Sequence, residues 1–136
     1  MTRRESREHL IKLLYLRDYH DPEELEEQYD LYFELYDVEA KQKLAAGDRE
    51  EIMERFGKVV EKMPEIDARI MKASKGWKLD RIGKVELGIL RLAVYEIDFD
   101  ETIPAKVSVN EAVELAKSYC GSQSSSFVNG ILAKII

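Results

Sequence analysis

A chain of 136 residues, 45% hydrophobic and 35% charged, is long enough to bury a core without disulfides or a structural metal, and it has the composition of a soluble, helix-rich protein. Seven glycines and three prolines are too few for the many tight turns of an all-β fold, and the single cysteine, Cys120, excludes an internal disulfide. The net charge of −6 argues against a uniformly basic nucleic-acid binder, but it sums unlike parts: residues 1–20 carry +2, 21–54 carry −10, 55–95 carry +5 and 96–136 carry −3.

Helical periodicity dominates from the start. Leu10, Leu13, Leu14 and Arg17 share a stripe, with Ile11 and Tyr15 alongside, which predicts a helix over Arg4–Tyr19. Asp21-Pro22-Glu23-Glu24 reads as a helix start, with Asp21 as cap and Pro22 in the first position. The helix that follows carries Leu25, Tyr29, Tyr32, Phe33 and Tyr36 on roughly one face. Gly47 ends a segment and Asp48 caps the next, with Glu51 at the capping-box position and Ile52, Phe56, Val59 and Val60 as core stripe. Met63-Pro64 interrupts that helix, and Ile66, Ile70 and Met71 mark a short one running up to Lys75-Gly76-Trp77.

Between Leu79 and Phe99 apolar residues nearly encircle the helix axis, the mark of a central helix. Thr102–Ala105 reads as a loop. Ser108-Val-Asn-Glu111 has the form of a capping box opening a helix to Tyr119, which should pack with a last helix over 126–136 on the central one. Gly121 and the serines at 122–126 read as the break between them. The expected fold is all-α, a compact bundle of about seven helices forming a single domain over 1–136. No long uncharged apolar run and no signal-peptide core are visible, so the expected location is cytoplasmic, with no membrane partner.

Reactive groups are sparse. His9, His20 and Cys120 are too few for a zinc site, no phosphate-cradling glycine loop is present, and Cys120 has no local catalytic histidine. The expectation is no catalytic residue, no metal and no cofactor, with Cys120 a buried small hydrophobe. Binding residues are easier to find. Arg3, Arg4 and Arg7 cluster at the amino terminus, with Lys12 and Arg17 on the same helix, and arginine's planar fork suits phosphate oxygens. Tyr15 and Tyr19 add aromatic faces on which unpaired bases stack. Such a helix is by itself more often an ordinary surface helix, and Tyr15 could equally pack inward.

The order of motifs along the chain goes further. Arg3-Arg4-x-x-Arg7-Glu8 with Leu14-Tyr15, then Ile66-Asp67, Ile70, Trp77 and Asp80-Arg81-Ile82, then Val85-Glu86 with Ile89-Leu90-Arg91-Leu92-Ala93-x-Tyr95-Glu96-Ile97, resembles the NusB family. Ile103-Pro104-x-Lys106-Val107, Asn110 to Lys117 and Phe127-Val128-Asn129-Gly130-Ile131-Leu132 complete the likeness. Residues 21–60 match only in helical character. The resemblance implies two small helical subdomains and a transcription antitermination factor. Such a factor binds boxA-type single-stranded RNA together with the small-subunit ribosomal protein NusE. It helps RNA polymerase, within an antitermination complex, to read through terminators, notably in ribosomal RNA operons.

By the same likeness Arg3, Arg4, Arg7 and Tyr15 are candidate RNA contacts, and Glu86 falls where the central helix faces the ribosomal protein. Trp77, Leu90, Leu92, Ala93 and Phe127 read as core, Asn129-Gly130 as close helix packing or an amide bond to a neighbouring loop, and Arg91 and Glu96 as a possible internal pair. Two departures bear on affinity. Glu5 stands in the basic arm where relatives often have arginine, and Ser126 stands where lysine is common. The other readings are a purely structural, homodimerising helical bundle without RNA binding, and the NusB-like RNA-targeting domain of some ribosomal RNA methyltransferases. A homodimer is compatible with the RNA-binding reading as well.

Overall fold

The computed structural model describes residues 1–39, 44–75 and 78–136, with backbone alone at 38 and 39. Seven α-helices run through them: α1 (Arg3–Tyr19), α2 (Leu25–Glu39), α3 (Asp48–Glu61), α4 (Met63–Ala73), α5 (Lys84–Phe99), α6 (Ala105–Cys120) and α7 (Ser122–Ile135). Single 3₁₀ turns occupy Pro22–Glu24 and Leu79–Arg81, and no strand occurs among the described residues. The chain divides into two compact units, Met1–Lys58 and Val59–Ile136. Among the described residues no helix is long and apolar enough to cross a membrane.

In the first unit, α1 buries Leu10, Ile11, Leu13 and Leu14, α2 contributes Phe33, and α3 contributes Ile52 and Phe56. A polar and aromatic seam joins α1 to α2. His9 Nδ1 shares a 2.6 Å hydrogen bond with the Tyr32 hydroxyl, and its ring meets Tyr32 and Tyr36 edge-on. Burial, helped by Lys12, lowers the His9 pKa against the opposing pull of Glu5 and Asp48. The ring is therefore neutral near pH 7, and its Nδ1 can accept from the Tyr32 hydroxyl. Arg49 lies over the Phe33 ring and pairs with Asp30. Asp21 makes no side-chain cap bond; Pro22 instead opens a 3₁₀ turn that leads into α2.

The second unit is built around α5, which packs against α4, α6 and α7. Every residue from Leu87 to Val94 is buried. Two polar links hold its neighbours. Arg91 donates to both oxygens of Asp67 on α4, at 2.8 and 3.1 Å, and the Ser108 hydroxyl of α6 donates to Glu96 at 2.8 Å. The helix is shorter than the sequence pattern suggests. Its first turn starts at Lys84, because Leu79–Arg81 forms a separate 3₁₀ turn and Gly83 is extended (φ −54°, ψ 143°).

Four further expectations change. Ser108 is not a cap: α6 begins at Ala105 behind Pro104, so Ser108 lies inside the helix with its hydroxyl on Glu96. The serine run is not a break. Gly121 alone makes it, with a left-handed backbone (φ +98°) and an amide bonded to the Ala116 and Lys117 carbonyls, and α7 starts at Ser122. Phe127 is half-buried rather than core, and Gly130 is exposed with no neighbour where a Cβ would stand, so Asn129-Gly130 serves no close packing. Leu90, Leu92 and Ala93 are buried as expected. Trp77 lies outside the described residues.

Candidate nucleic-acid interface

The amino terminus is helical from Arg3 because Thr2 caps it. The Thr2 hydroxyl accepts from the Glu5 amide and donates to the Glu5 carboxylate, both at 3.1 Å. Thr2-x-x-Glu5 has the spacing of a capping box, a signal present in the sequence and missed in its reading. It gives Glu5 a task other than opposing phosphate: its carboxylate is tied to Thr2 and stands at the positive end of the helix dipole.

The cap presents Arg3 and Arg4 to solvent. Arg7 behaves differently. It is 5% exposed, one turn before Leu10 and Ile11 on the buried stripe, and it has interaction partners of its own. The expected trio of open arginines is thus a pair, and Arg7 belongs to the interior of the unit.

Further along α1, Tyr15 and Tyr19 are 40% and 58% exposed, with ring centroids 4.7 Å apart and planes tilted by 38°. Of the two readings open for Tyr15, the outward one holds. A hydrogen bond with Tyr19 and the charge that Tyr19 would carry both push the Tyr15 phenol above its ordinary pKa, with a smaller contribution from burial. It stays neutral and able to donate. At about 3.6 residues per turn, Arg4, Lys12, Tyr15 and Tyr19 fall within roughly 80° of arc on one helix face. Arg4 and Tyr15 are about 17 Å apart along the axis, roughly five nucleotides at a stacked rise of about 3.4 Å. This face offers charge at one end and stacking surface at the other.

Glu86 lies in the other unit, in the first turn of α5. It is half-buried and folds back over Gly83, where an added Cβ would collide with its carboxylate. No ion pair to Glu86 occurs among the described residues; its neighbour is the thiol of Cys120 at the end of α6. Burial first, then the hydrogen bond and negative charge of Glu86, push that thiol up to about 11, with Ser124 pulling slightly the other way. Cys120 is therefore protonated at neutral pH and a poor nucleophile.

A sequence model of the NusB family matches residues 4–136. The transcription antitermination protein NusB of Lachnoclostridium phytofermentans is 52% identical over 136 residues, covering 100% of this chain and 99% of that protein. Among solved structures, T. maritima NusB superposes with a TM-score of 0.76 at 30% identity, over 99% of this chain and 90% of that one. The crystal structure of the antitermination factors NusB and NusE in complex with dsRNA gives a TM-score of 0.75 at 29% identity, over 98% and 94% of the two chains.

Proposed function

This chain belongs to the NusB family, and on that premise we propose that it is a transcription antitermination factor which binds boxA-type RNA together with the ribosomal protein NusE. In the cytoplasm it joins the antitermination complex on RNA polymerase, notably in ribosomal RNA operons, and it catalyses nothing itself. The observation that carries this reading is the α1 face: Arg4 and Lys12 in line with an outward tyrosine pair, on a helix whose capped start also exposes Arg3, in a chain whose overall charge repels nucleic acid. Arg3, Arg4 and Tyr15 contact the RNA. The protonated thiol of Cys120 supports the absence of catalysis. A structural relative that assembles with both NusE and dsRNA speaks against a purely structural bundle.

Glu86 serves the protein partner. Ribosomal proteins are commonly basic, so a carboxylate held at the start of α5 by Gly83 and Cys120 offers charge complementarity and a faster encounter. The test mixes the protein, its cognate NusE and a boxA-like RNA, and measures binding with each component omitted in turn. Cooperative assembly of all three, competed better by single-stranded than by duplex RNA, is expected. Duplex competing equally well would remove the single-strand preference, and no RNA retention with or without NusE would remove the function. Glu86→Lys should weaken NusE binding several-fold while the unpartnered protein's RNA binding holds; equal NusE binding would make Glu86 mere surface.

A further inference from the structure

The second unit carries a cationic site that the α1 face does not account for. A cavity of about 340 Å³ opens where α4 and α7 end, lined by Arg69, Lys72, Ala73, Lys75, Lys134 and Ile135. All four cationic side chains are exposed, and among the described residues no acidic side chain lines the cavity. Arg69 is already in use: it donates to both oxygens of Asp98, at 3.0 and 3.2 Å, and to the Ile135 carbonyl at 3.2 Å, fastening α4 to α5 and α7. Lys72, Lys75 and Lys134 have no hydrogen bond or ion pair among the described residues. We propose that these three lysines form a second phosphate-binding site, which takes RNA backbone.

Helix ends alone do not explain the charge. Two helix carboxyl termini carry about half a negative charge each, which offsets about one lysine. Asp98 offsets Arg69, and even a carboxylate at Ile136 leaves roughly one positive charge in excess at the dipole-sized values used here. That surplus sits in a protein whose total charge is −6.

The chemistry favours a polymer over a small anion. Among the described residues no helix amino terminus lines the cavity, so they offer no fan of free amides to cradle a single phosphate. Lysine ammoniums are mobile point charges without the fork that fixes one oxyanion. Such a surface gains affinity by displacing counterions from a chain of phosphates, a gain that accrues per phosphate and needs no fixed geometry.

The proposal rests on the RNA-binding reading, and the test separates the two. Binding of a boxA-like single-stranded RNA with flanking nucleotides is measured against salt for the wild type, for K72Q/K75Q/K134Q, and for the control K58Q/K106Q, which neutralises exposed lysines elsewhere. The cavity variant should bind several-fold more weakly at low salt. Its log–log salt slope should be shallower by about 0.7 for each lysine that faces a phosphate. The control should change by less than twofold. If the cavity variant matches the control while the wild type binds RNA, the second site is overturned and the α1 reading stands. If the wild type retains no RNA even with its cognate NusE present, both fail. A lysine-dependent rise in melting temperature with inorganic phosphate, at unchanged RNA affinity, would assign the cavity to a small anion and overturn the proposal.

Discussion

Helix α5 buries all eight residues from Leu87 to Val94, whereas α2, among its described side chains, buries Phe33 alone. Both are helices of about four turns in one small protein, yet they are held by different means. In the second unit an apolar helix is enclosed by its neighbours and fixed by the Arg91–Asp67 and Ser108–Glu96 bonds. In the first, α2 rests on α1 through a histidine and tyrosines and leaves Leu31 and Leu35 about half exposed, on a helix with six acidic and no basic residues. The difference separates two tasks. The second unit invests its sequence in a core, while the first keeps charged and aromatic surface open and is held by contacts that pH can loosen.

The contrast can be broken most directly in the core. Leu90→Ala should cost about 2–5 kcal/mol in urea unfolding, and Leu35→Ala no more than about 0.5 kcal/mol; equal losses would dissolve the distinction. Asp67→Ala, which takes from the buried Arg91 its carboxylate partner, should cost about 1.5–3 kcal/mol by the same measurement. A loss within experimental error would make that pair ornamental.

The first unit should respond to pH. The folded pKa of His9 lies below its ordinary value, so the unfolded chain takes up the proton more readily. Stability should be fully present above about pH 6.5 and fall as pH drops through that value toward the folded pKa. Hydrogen exchange of α1 amides at pH 7.5 and 5.5 should show the loss, and His9→Gln should abolish its pH dependence. A variant that keeps the dependence would shift its origin to carboxylates. The smallest effect on folding should come from Arg3→Ala with Arg4→Ala: stability unchanged within about 0.5 kcal/mol, but an RNA salt slope shallower by about 1.4. An unchanged slope would take the arm out of the interface.

Where local pattern and packing agree, the sequence is readable. The α1 stripe of Leu10, Leu13 and Leu14, the stop at Met63-Pro64 and the apolar circumference of α5 are each decided by residues that touch nothing unusual. Where one pattern has two solutions, the sequence reading misplaces it. Ser108-x-x-Glu111 has the spacing of a helix cap, but Pro104 starts the helix earlier, and the buried Glu96 on another helix claims the hydroxyl. Conversely, Thr2-x-x-Glu5 is a working cap hidden among arginines. The candidate site was readable as an arm and a tyrosine pair but not in detail. Arg7 follows the phase of Leu10 and Leu14, so its burial could have been read from periodicity, at the cost of placing a guanidinium inside. The lysines at Lys72, Lys75 and Lys134 lie up to 62 residues apart in sequence, and only the meeting of α4 with α7 gathers them.

The Thr2 cap has a consequence for recognition. Because the helix begins at Arg3, the two guanidinium groups ride on a stiff rod rather than a loose tail, and binding need freeze only their side-chain rotamers, at about 0.5–1.5 kcal/mol each. A disordered arm would also have to surrender about 1–2 kcal/mol of backbone entropy per residue. Preorganisation of this kind gives up the reach of a flexible tail for a fixed register: the distance from Arg4 to the tyrosine pair works as a ruler, and an RNA is accepted according to whether its phosphates and its unpaired bases arrive at that spacing.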